Sequence, residues 1–166
     1  MTDSEVLAAL DDRQTLGLTA WAEGRQIPRD DPHSHSPVEE LIAVMVVVRN
    51  RLARVSASTT GASYKSVCLA PMQFSCWNPG SGSNHDALMV QARLLVGPPS
   101  GLLATDRELD ECLCLADGVI AGVLLDRTGG ATQYWAPEAM VPPGRTPSWA
   151  AGKPRLLIGD QYFMVA

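Results

Sequence analysis

The chain has 166 residues, of which 46% are apolar and 19% are charged, so it is long enough for one domain with a hydrophobic core and too apolar for a disordered protein. Its 13 basic and 18 acidic side chains give a formal net charge of −5, and they form no run of Lys or Arg. Because binding to phosphate backbones requires a basic surface, this charge argues against nucleic acid as the main partner.

The N-terminal residues Met1 to Glu5 are polar and acidic, without the basic and apolar regions of a signal peptide. The longest apolar run, Leu41 to Val48, has eight residues, whereas a membrane-spanning helix needs about 20. We therefore expect a protein that is made in the cytoplasm and does not insert into a membrane. If it acts outside the cytoplasm, another protein must release it.

The four cysteines and three histidines do not follow a metal-binding pattern. A zinc site needs paired Cys-x-x-Cys or Cys/His knuckles, whereas Cys112 and Cys114 are separated by a single residue. We predict no metal, no cofactor, and free, mostly buried thiols in a cytoplasmic chain. A disulfide between Cys68 and Cys76 stays an alternative for an oxidising compartment. The histidines, which show no ligand spacing, are His33, His35 and His85.

The first segment predicts a helix that is capped by Ser4 and has Glu5 in its first turn. We expect this helix to break or shift register near Gly17 and to stop at Gly24. Glu23 then lies in the last helical turn, where the negative end of the helix dipole raises the pKa of its carboxyl somewhat.

A polar loop and a buried helix follow. Gln26 to Pro37 contains three prolines and is predicted to be a loop. Ser36 as the N-cap and proline as the first helical residue predict a helix from Pro37 to about Arg54. Its apolar residues cover most of the helix circumference, so we expect it to be central and buried. The β-branched run Val44 to Val48 could also form a strand, but the length and capping of the segment favour helix.

The second half of the chain predicts two more helices. Ala53 to Ser66 is rich in small and polar residues and is interpreted as a mobile connection. Helices are expected at Asn84 to Val96 and at about Asp106 to Leu125. Gly118 and Gly122, four residues apart, predict a face that another helix approaches closely.

The C-terminal part predicts β-structure. Thr128 to Pro137 contains Gly-Gly followed by aromatic residues, which favours a tight turn and a short extended segment. Leu156 to Val165 predicts a closing hairpin. The expected fold is therefore mainly α with some β-structure (α+β), a single domain over residues 1–166 with four to six helices and a short β-hairpin.

Several aromatic residues stand in polar or glycine-rich surroundings. Flat aromatic faces beside Asn, Gln and Ser suit sugar rings, which offer apolar C–H faces and hydroxyl edges. The alternative is that these rings fill the core of a small domain. The residues concerned are Trp21, Trp77, Tyr134, Trp135 and Trp149.

Four segments between Leu16 and Pro137 match the sequence blocks of a known protein family, and they stand in the same order as in that family. They are Trp21-Ala22-Glu23-Gly24-Arg25 with Pro28, then Glu39 to Arg51 with Ile42-Ala43-Val44 and Asn50-Arg51, then Leu69 to Trp77, and finally Thr128 to Tyr134. Together they resemble the SleB-type cell wall hydrolases, a family that includes spore-cortex-lytic enzymes and phage or prophage endolysins.

The resemblance implies a lysozyme-like fold and cleavage of peptidoglycan between N-acetylmuramic acid and N-acetylglucosamine. Glu23 matches the catalytic acid of the family. Asn50 and Arg51 are expected to brace the helix end and the loop after Glu23, and Tyr134 to contact the reacting sugar or hold Glu23. The residues predicted to bind substrate are Trp21, Gln73, Ser75, Trp77 and Tyr134.

The chain departs from the family pattern at three places. The family's first block has a second Glu where this chain has Ile27. An insertion, about Arg29 to His35, separates the first block from the next one. The family's last block has a His where this chain has Gln133. Glycosidases with two carboxylates hold them about 5–5.5 Å or 6.5–9.5 Å apart. A lytic transglycosylase instead uses the 6-hydroxyl of the sugar, with one carboxyl as acid and then base.

The missing second Glu favours the transglycosylase route, or a water route with a carboxylate from elsewhere. Glu39 and Glu40 are better explained as first-turn helix charges. The acidic residues nearby in sequence are Asp30, Asp31, Glu39 and Glu40.

Two other classes of protein stay open at this point. One is a metal-dependent peptidoglycan amidase, which would need histidine and acidic ligands around zinc. The other is a non-catalytic wall-binding or virion structural protein with the same fold. The preferred setting, by resemblance, is a monomeric endolysin that is made in the cytoplasm, released with the help of a holin, and acts on the glycan strands of peptidoglycan.

Overall fold

The computed structural model describes residues 1–25, 37–71, 73–80, 83–97 and 105–166. In these residues it has six α-helices and three short strands, which confirms a mainly α fold with a small β-element. No helix in the described ranges has the length and apolar character of a membrane span. The helices are α1 (Asp3–Ala9), α2 (Asp12–Arg25), α3 (Val38–Ser56), α4 (Tyr64–Cys68), α5 (Ser83–Val96) and α6 (Arg107–Ile120), and the strands are β1 (Gln133–Trp135), β2 (Leu156–Ile158) and β3 (Gln161–Met164).

The N-terminal helix begins earlier than the sequence predicted. Thr2, not Ser4, is the N-cap of α1, because its side chain accepts a hydrogen bond from the Glu5 amide while the Glu5 carboxylate accepts one from the Thr2 amide. This reciprocal capping box satisfies two amide groups that a helix start otherwise leaves without partners.

The break after α1 lies at Leu10 and Asp11, so the predicted break near Gly17 is wrong. Asp11 and Gln14 form a second reciprocal pair, in which each side chain accepts the amide of the other, and α2 starts there. Gly17 instead allows α6 to pack closely on α2, because a Cβ at this position would lie 2.9 Å from Leu113 Cδ2.

Helix α3 is the buried helix that its composition predicted. The run Val44 to Val48 is helical and almost inaccessible to solvent, so the helical interpretation is confirmed over the strand. Pro37 is the N-cap and not the first helical residue, and Ser36 lies outside the described residues. Helices α2, α4 and α6 and strands β1 and β2 all pack against α3.

The predicted mobile connection from Ala53 to Ser66 is wrong in part, because α3 continues to Ser56 and Ser63 caps α4. Lys65 anchors this segment to the N-terminal helices. Its amide donates to Asp12 Oδ1 at 2.9 Å, and its Nζ donates to the Leu10 carbonyl at 2.7 Å. These bonds fix α4 against the junction of α1 and α2.

Helix α6 ends at Ile120, five residues before the predicted end. Gly122 adopts a φ of +73° and turns the chain back, and the amide of Leu124 donates to the Gly118 carbonyl at 3.2 Å. A Cβ at Gly118 would lie 2.8 Å from Leu124 Cδ1. The close approach at Gly118 is therefore made by the chain that leaves α6 and not by another helix.

The predicted hairpin is present as β2 and β3, and β1 joins it to form an antiparallel sheet in the order β1-β3-β2. Tyr134 pairs with Phe163, and Trp135 pairs with Tyr162. Since side chains alternate between the faces of a sheet, Tyr134 and Phe163 pack on the helical core, and Trp135 packs in a smaller cluster on the other face.

Glu40 joins α3 to the turn of this hairpin. Its carboxylate is fully buried and accepts hydrogen bonds from the Asp160 amide at 2.7 Å and from Gln161 Nε2 at 3.4 Å. Glu39 is exposed, as expected for a first-turn helix charge. The interpretation of Glu40 as a simple helix-start charge is therefore incomplete, because its carboxylate holds the hairpin.

Candidate active site around Glu23

Glu23 lies in the last turn of α2, as its position before Gly24 predicted. The residues just before it are buried in the core, and the Glu23 side chain itself is half-buried. Asn84, at the start of α5, donates from Nδ2 to the Ala22 carbonyl at 3.2 Å. This bond satisfies one of the carbonyl groups that the end of α2 leaves open, next to the glutamate.

Tyr134 is hydrogen-bonded to Glu23. Its hydroxyl donates to Glu23 Oε2 at 3.0 Å, and its ring packs between Phe163 and Phe74, with centroid separations of 5.6 and 6.4 Å. Burial, and then the negative charge of Glu23, raise the pKa of Tyr134 well above its ordinary value. The phenol therefore stays neutral and remains a hydrogen-bond donor to the carboxylate.

Cys76 reaches Glu23 from a one-turn 3₁₀-helix at Ser75–Trp77. Its side chain is fully buried and hydrogen-bonds to Glu23. Burial and the charge of Glu23 raise the pKa of the Cys76 thiol strongly, so the sulfur keeps its proton and acts as the donor. Trp77 Nε1 donates to Thr19 Oγ1 at 2.9 Å and ties this turn to α2.

Arg51 brings a positive charge to the same place from α3. Its Nε donates to the Thr132 carbonyl at 2.7 Å, and its guanidinium lies 4.9 Å from the centre of the Phe74 ring. Burial lowers the pKa of Arg51, and the nearby Tyr134 and Glu23 oppose that shift. An arginine stays protonated under these conditions, so its field acts on the Glu23 carboxylate.

A compact loop before β1 fixes the position of Tyr134. Asp126 accepts hydrogen bonds from the amides of Thr128 and Gly130, and Asn50 Nδ2 donates both to Asp126 Oδ2 and to the Ala131 carbonyl at 3.0 Å. The sequence predicted that Asn50 and Arg51 brace the loop after Glu23. Their described hydrogen bonds go to the loop before Tyr134 instead, and residues 26–36 lie outside the described part of the chain.

The predicted sugar-binding residues divide into two groups. Gln73 and Ser75 are exposed and alternate with buried Phe74 and Cys76, so their side chains face solvent beside the Glu23 cluster. Trp21 and Trp77 are only 2% and 8% exposed and belong to the core. Their burial leaves little of either ring open to a sugar, and contact of these two rings with substrate stays a prediction.

Of the candidates for a second carboxylate, Glu39 and Glu40 are among the described residues. Glu40 is turned toward the hairpin, and Arg51 follows it on α3 by eleven residues, which is about 16 Å along the helix axis. Asp30, Asp31 and Ile27 lie outside the described residues, as does the insertion from Arg29 to His35. Among the described residues, neither Glu39 nor Glu40 is hydrogen-bonded in the Tyr134 and Cys76 cluster.

The described residues contain no group of three or more His, Cys, Asp and Glu side chains arranged to hold a metal ion. His85 Nδ1 lies 2.9 Å from the Cys76 carbonyl, and His33 and His35 lie outside the described residues. All four cysteines are free, including Cys68, whose pKa burial raises to about 12. The alternative disulfide between Cys68 and Cys76 is not formed in this structure.

Two residues of the cluster, Cys76 and Asn84, had no predicted role beside Glu23, and Arg51 was predicted to brace the loop after Glu23 and not to lie near its carboxylate. Arg51 and Cys76 lie in segments that resemble the family. The resemblance indicates that these segments belong to the site, but it does not predict which residues contact each other. Asn84 was interpreted only as a helix start. Their proximity to Glu23 arises from the packing of α3, α5 and the 3₁₀-turn on α2.

A family model described as Cell Wall Hydrolase matches residues 35–164. The match includes α3 with Arg51, the turn with Cys76, and β1 with Tyr134. It begins 12 residues after Glu23, so α2 lies outside it. No curated protein and no solved structure shows significant similarity to the chain.

Proposed function

The chain belongs to the cell wall hydrolase family, and we propose that it cleaves the glycan strands of peptidoglycan between N-acetylmuramic acid and N-acetylglucosamine, with Glu23 as the general acid and base. The observation that supports this proposal is the 3.0 Å hydrogen bond from Tyr134 to Glu23. It joins the glutamate of α2 to a strand within the range that matches the family.

The first step requires a proton. A glycosidic oxygen leaves poorly until it is protonated, so the Glu23 carboxyl donates its proton to that oxygen as the bond to C1 of the muramic acid breaks. Glu23 gives this proton from a half-buried position in the last turn of α2. The electron pair of the broken bond stays on the leaving oxygen, and positive charge develops on the sugar ring.

The surroundings of Glu23 suit the state that follows. Once it has given up its proton, the carboxylate accepts the Tyr134 hydroxyl and the Cys76 thiol and lies in the field of Arg51. Hydrogen bonds and a nearby positive charge stabilise the ionised form of a carboxyl. The site therefore balances burial against donors, which suits a group that first gives and then takes a proton.

The second step is proposed to follow the transglycosylase route. The 6-hydroxyl of the muramic acid attacks C1, closes an anhydro ring, and gives its proton to Glu23, which restores the acid. This route needs no second carboxylate, which agrees with Ile27 at the place of the second Glu of the family pattern. A muramidase route, in which water attacks C1, is the alternative.

Substrate contacts are proposed for the exposed side chains next to the cluster. Gln73 and Ser75 stand on either side of Phe74 and face solvent. Their amide and hydroxyl groups can hydrogen-bond to the N-acetyl and hydroxyl groups of the sugars. Tyr134 is proposed to hold Glu23 in place, since its hydroxyl is already engaged with the carboxylate.

The test is the loss of turbidity of purified peptidoglycan with Glu23→Gln, a change that keeps the shape of the side chain and removes its proton chemistry. The expected result is a fall in the lysis rate of at least about a hundredfold. Glu111→Gln is the matched control, because Glu111 is exposed on α6, and it should lyse like the unchanged protein. Lysis by the Glu23 variant at the unchanged rate contradicts the proposal, and lysis that a chelator abolishes favours a metal-dependent amidase.

A further inference from the structure

Residues 139–159 differ in charge from the rest of the chain. They hold Arg145, Lys153 and Arg155 and no Asp or Glu, whereas the other 145 residues carry 10 basic and 18 acidic side chains. All three basic residues are exposed. An acidic protein therefore presents one continuous stretch of chain with a net charge of +3, where anions are attracted locally.

The same segment exposes a tryptophan that is held in place. Trp149 is 42% exposed although tryptophan is usually well buried, and its ring stands edge-on to Trp135, 5.5 Å away at 85°. Trp135 is buried and packs on Tyr162 at 5.2 Å. The contact with Trp135 fixes the position of the Trp149 ring, while part of the ring stays exposed to solvent.

Arg155 joins the charge to the aromatic rings. Its guanidinium lies 4.7 Å from the centre of the Tyr162 ring and donates from Nη1 to Thr146 Oγ1 at 3.2 Å. A cation over an aromatic face is attracted by the ring electrons, which orders the arginine. Arg155 thus lies on the rings that support the exposed indole, and Arg145 and Lys153 are exposed within a few residues of it in the chain. We call these four exposed residues the basic aromatic surface (Arg145, Trp149, Lys153 and Arg155).

This surface lies away from the Glu23 cluster. Tyr134 and Trp135 are neighbours on β1, so their side chains point to opposite faces of the sheet. Tyr134 points to Glu23, whereas Trp135 points to Trp149. The basic aromatic surface is therefore not a part of the site at which cleavage is proposed.

We propose that the basic aromatic surface is a second, non-catalytic binding site for peptidoglycan, which holds the wall polymer while another part of the same strand or network is cleaved at Glu23. The Trp149 face fits the C–H face of a sugar ring. The three basic side chains fit the carboxylates of the peptide stems, which give peptidoglycan its negative charge. The binding of the wall at this surface rests on the family assignment, whereas cleavage at Glu23 is a separate proposal that the lysis assay above tests.

Binding is measured by sedimentation of the protein with purified sacculi, from which other anionic polymers have been removed, in the Glu23→Gln background so that the wall stays insoluble. Adding Trp149→Ala is expected to weaken binding about five- to tenfold, as for the loss of one stacked aromatic contact. Lys153→Glu should weaken it about threefold or more, with a larger effect at low salt because exposed charges are screened. The matched control is Arg107→Glu, which makes the same charge change at an exposed position on α6 and should leave binding unchanged.

Two further measurements identify the bound group. Amidation of the carboxylates of the sacculi should reduce the binding of the Glu23→Gln protein and abolish the effect of Lys153→Glu. With Glu23 intact, Trp149→Ala should slow the lysis of whole sacculi but leave the cleavage of short soluble glycan fragments unchanged. The proposal is overturned if Trp149→Ala and Lys153→Glu bind like their parent, if binding requires the polymers that were removed, or if single-stranded DNA binds this surface in preference to the wall.

Discussion

Gly159 offers a sharp test of the contact between α3 and the hairpin. It adopts a φ of +58°, and a Cβ built there would lie 2.3 Å from Glu40 Oε2 and 3.0 Å from Glu40 Cβ. In Gly159→Ala the left-handed backbone conformation lowers the free energy of unfolding by about 1–2 kcal/mol, because alanine has a Cβ. It also displaces the Glu40 carboxylate from the Asp160 amide, a charged hydrogen bond that contributes about 1.5–3 kcal/mol. We therefore expect the free energy of unfolding to fall by about 2.5–5 kcal/mol.

The second variant separates these two contributions. In Glu40→Ala the carboxylate nearest the new methyl group is absent and only the Cβ of residue 40, 3.0 Å away, remains, so adding Gly159→Ala should lower stability mainly by the about 1–2 kcal/mol of the left-handed backbone. The two substitutions are thus expected to be non-additive by about 1.5–3 kcal/mol, the part of the effect that passes through the Glu40 carboxylate. Gly61→Ala is the control, because Gly61 has a φ of +80° and no atom within 4 Å of its built Cβ.

The assay is urea unfolding at 25 °C, followed by tryptophan fluorescence and by circular dichroism, with the four proteins of the cycle and the Gly61 control measured together. Coincident transitions by the two probes justify a single free energy of unfolding. The reasoning is refuted if Gly159→Ala destabilises no more than Gly61→Ala, or if the effects of Gly159→Ala and Glu40→Ala simply add.

Three further predictions concern the surroundings of Glu23. Tyr134→Phe removes the donor to Glu23 but keeps the ring packing, so lysis should slow about 10- to 100-fold with an unchanged circular dichroism spectrum, and unchanged lysis would show that the hydroxyl is not needed. Arg51→Gln removes a positive charge near Glu23, so the high-pH limb of the lysis profile should move to higher pH, whereas Arg51→Lys should leave it nearly in place. Burial raises the pKa of Asp126, but hydrogen bonds from Thr128, Asn50 and Gly130 outweigh it and lower the pKa below the ordinary 3.8. The stability that this carboxylate contributes is thus present above its ordinary pKa and is lost as the pH falls through the lowered value. Because the carboxylate is largely open to solvent, the loss should be about 0.5 kcal/mol or less. Asp126→Asn should abolish this loss in urea titrations between about pH 6 and pH 3.

The helical part of the fold could be predicted where one local signal dominates. The uninterrupted apolar run of α3 and the paired apolar segments around Gly159-Asp160 left few alternatives, and the structure confirms both. The boundary between α1 and α2 was predicted wrongly because it depends on the reciprocal hydrogen bonds of Asp11 and Gln14. Gly17, where the break was predicted, instead allows α6 to pack closely on α2.

The candidate site was predictable in part, because Tyr134 was expected beside Glu23 and its hydroxyl is hydrogen-bonded to that carboxylate. A carboxylate at a helix end before glycine is visible in the sequence, and so is the segment that holds Gln73 and Ser75. The hydrogen bond of Cys76 to Glu23 and the positive charge of Arg51 near Glu23 are not, because they join parts of the chain that are far apart in sequence. The composition around Trp21 suggested a ring that is open to a sugar, but the Trp21 side chain is buried in the core.

The central claim is that Glu23 supplies and recovers the proton in glycan cleavage. It is tested most directly by mass spectrometry of the soluble muropeptides that the protein releases from purified peptidoglycan, side by side with Glu23→Gln. The account predicts muropeptides with anhydro-muramic ends, one water lighter than reducing ends, from the unchanged protein and none from the variant. Release of the same muropeptides at the same rate by the Glu23 variant, or release of stem peptides with intact glycan strands, would contradict it.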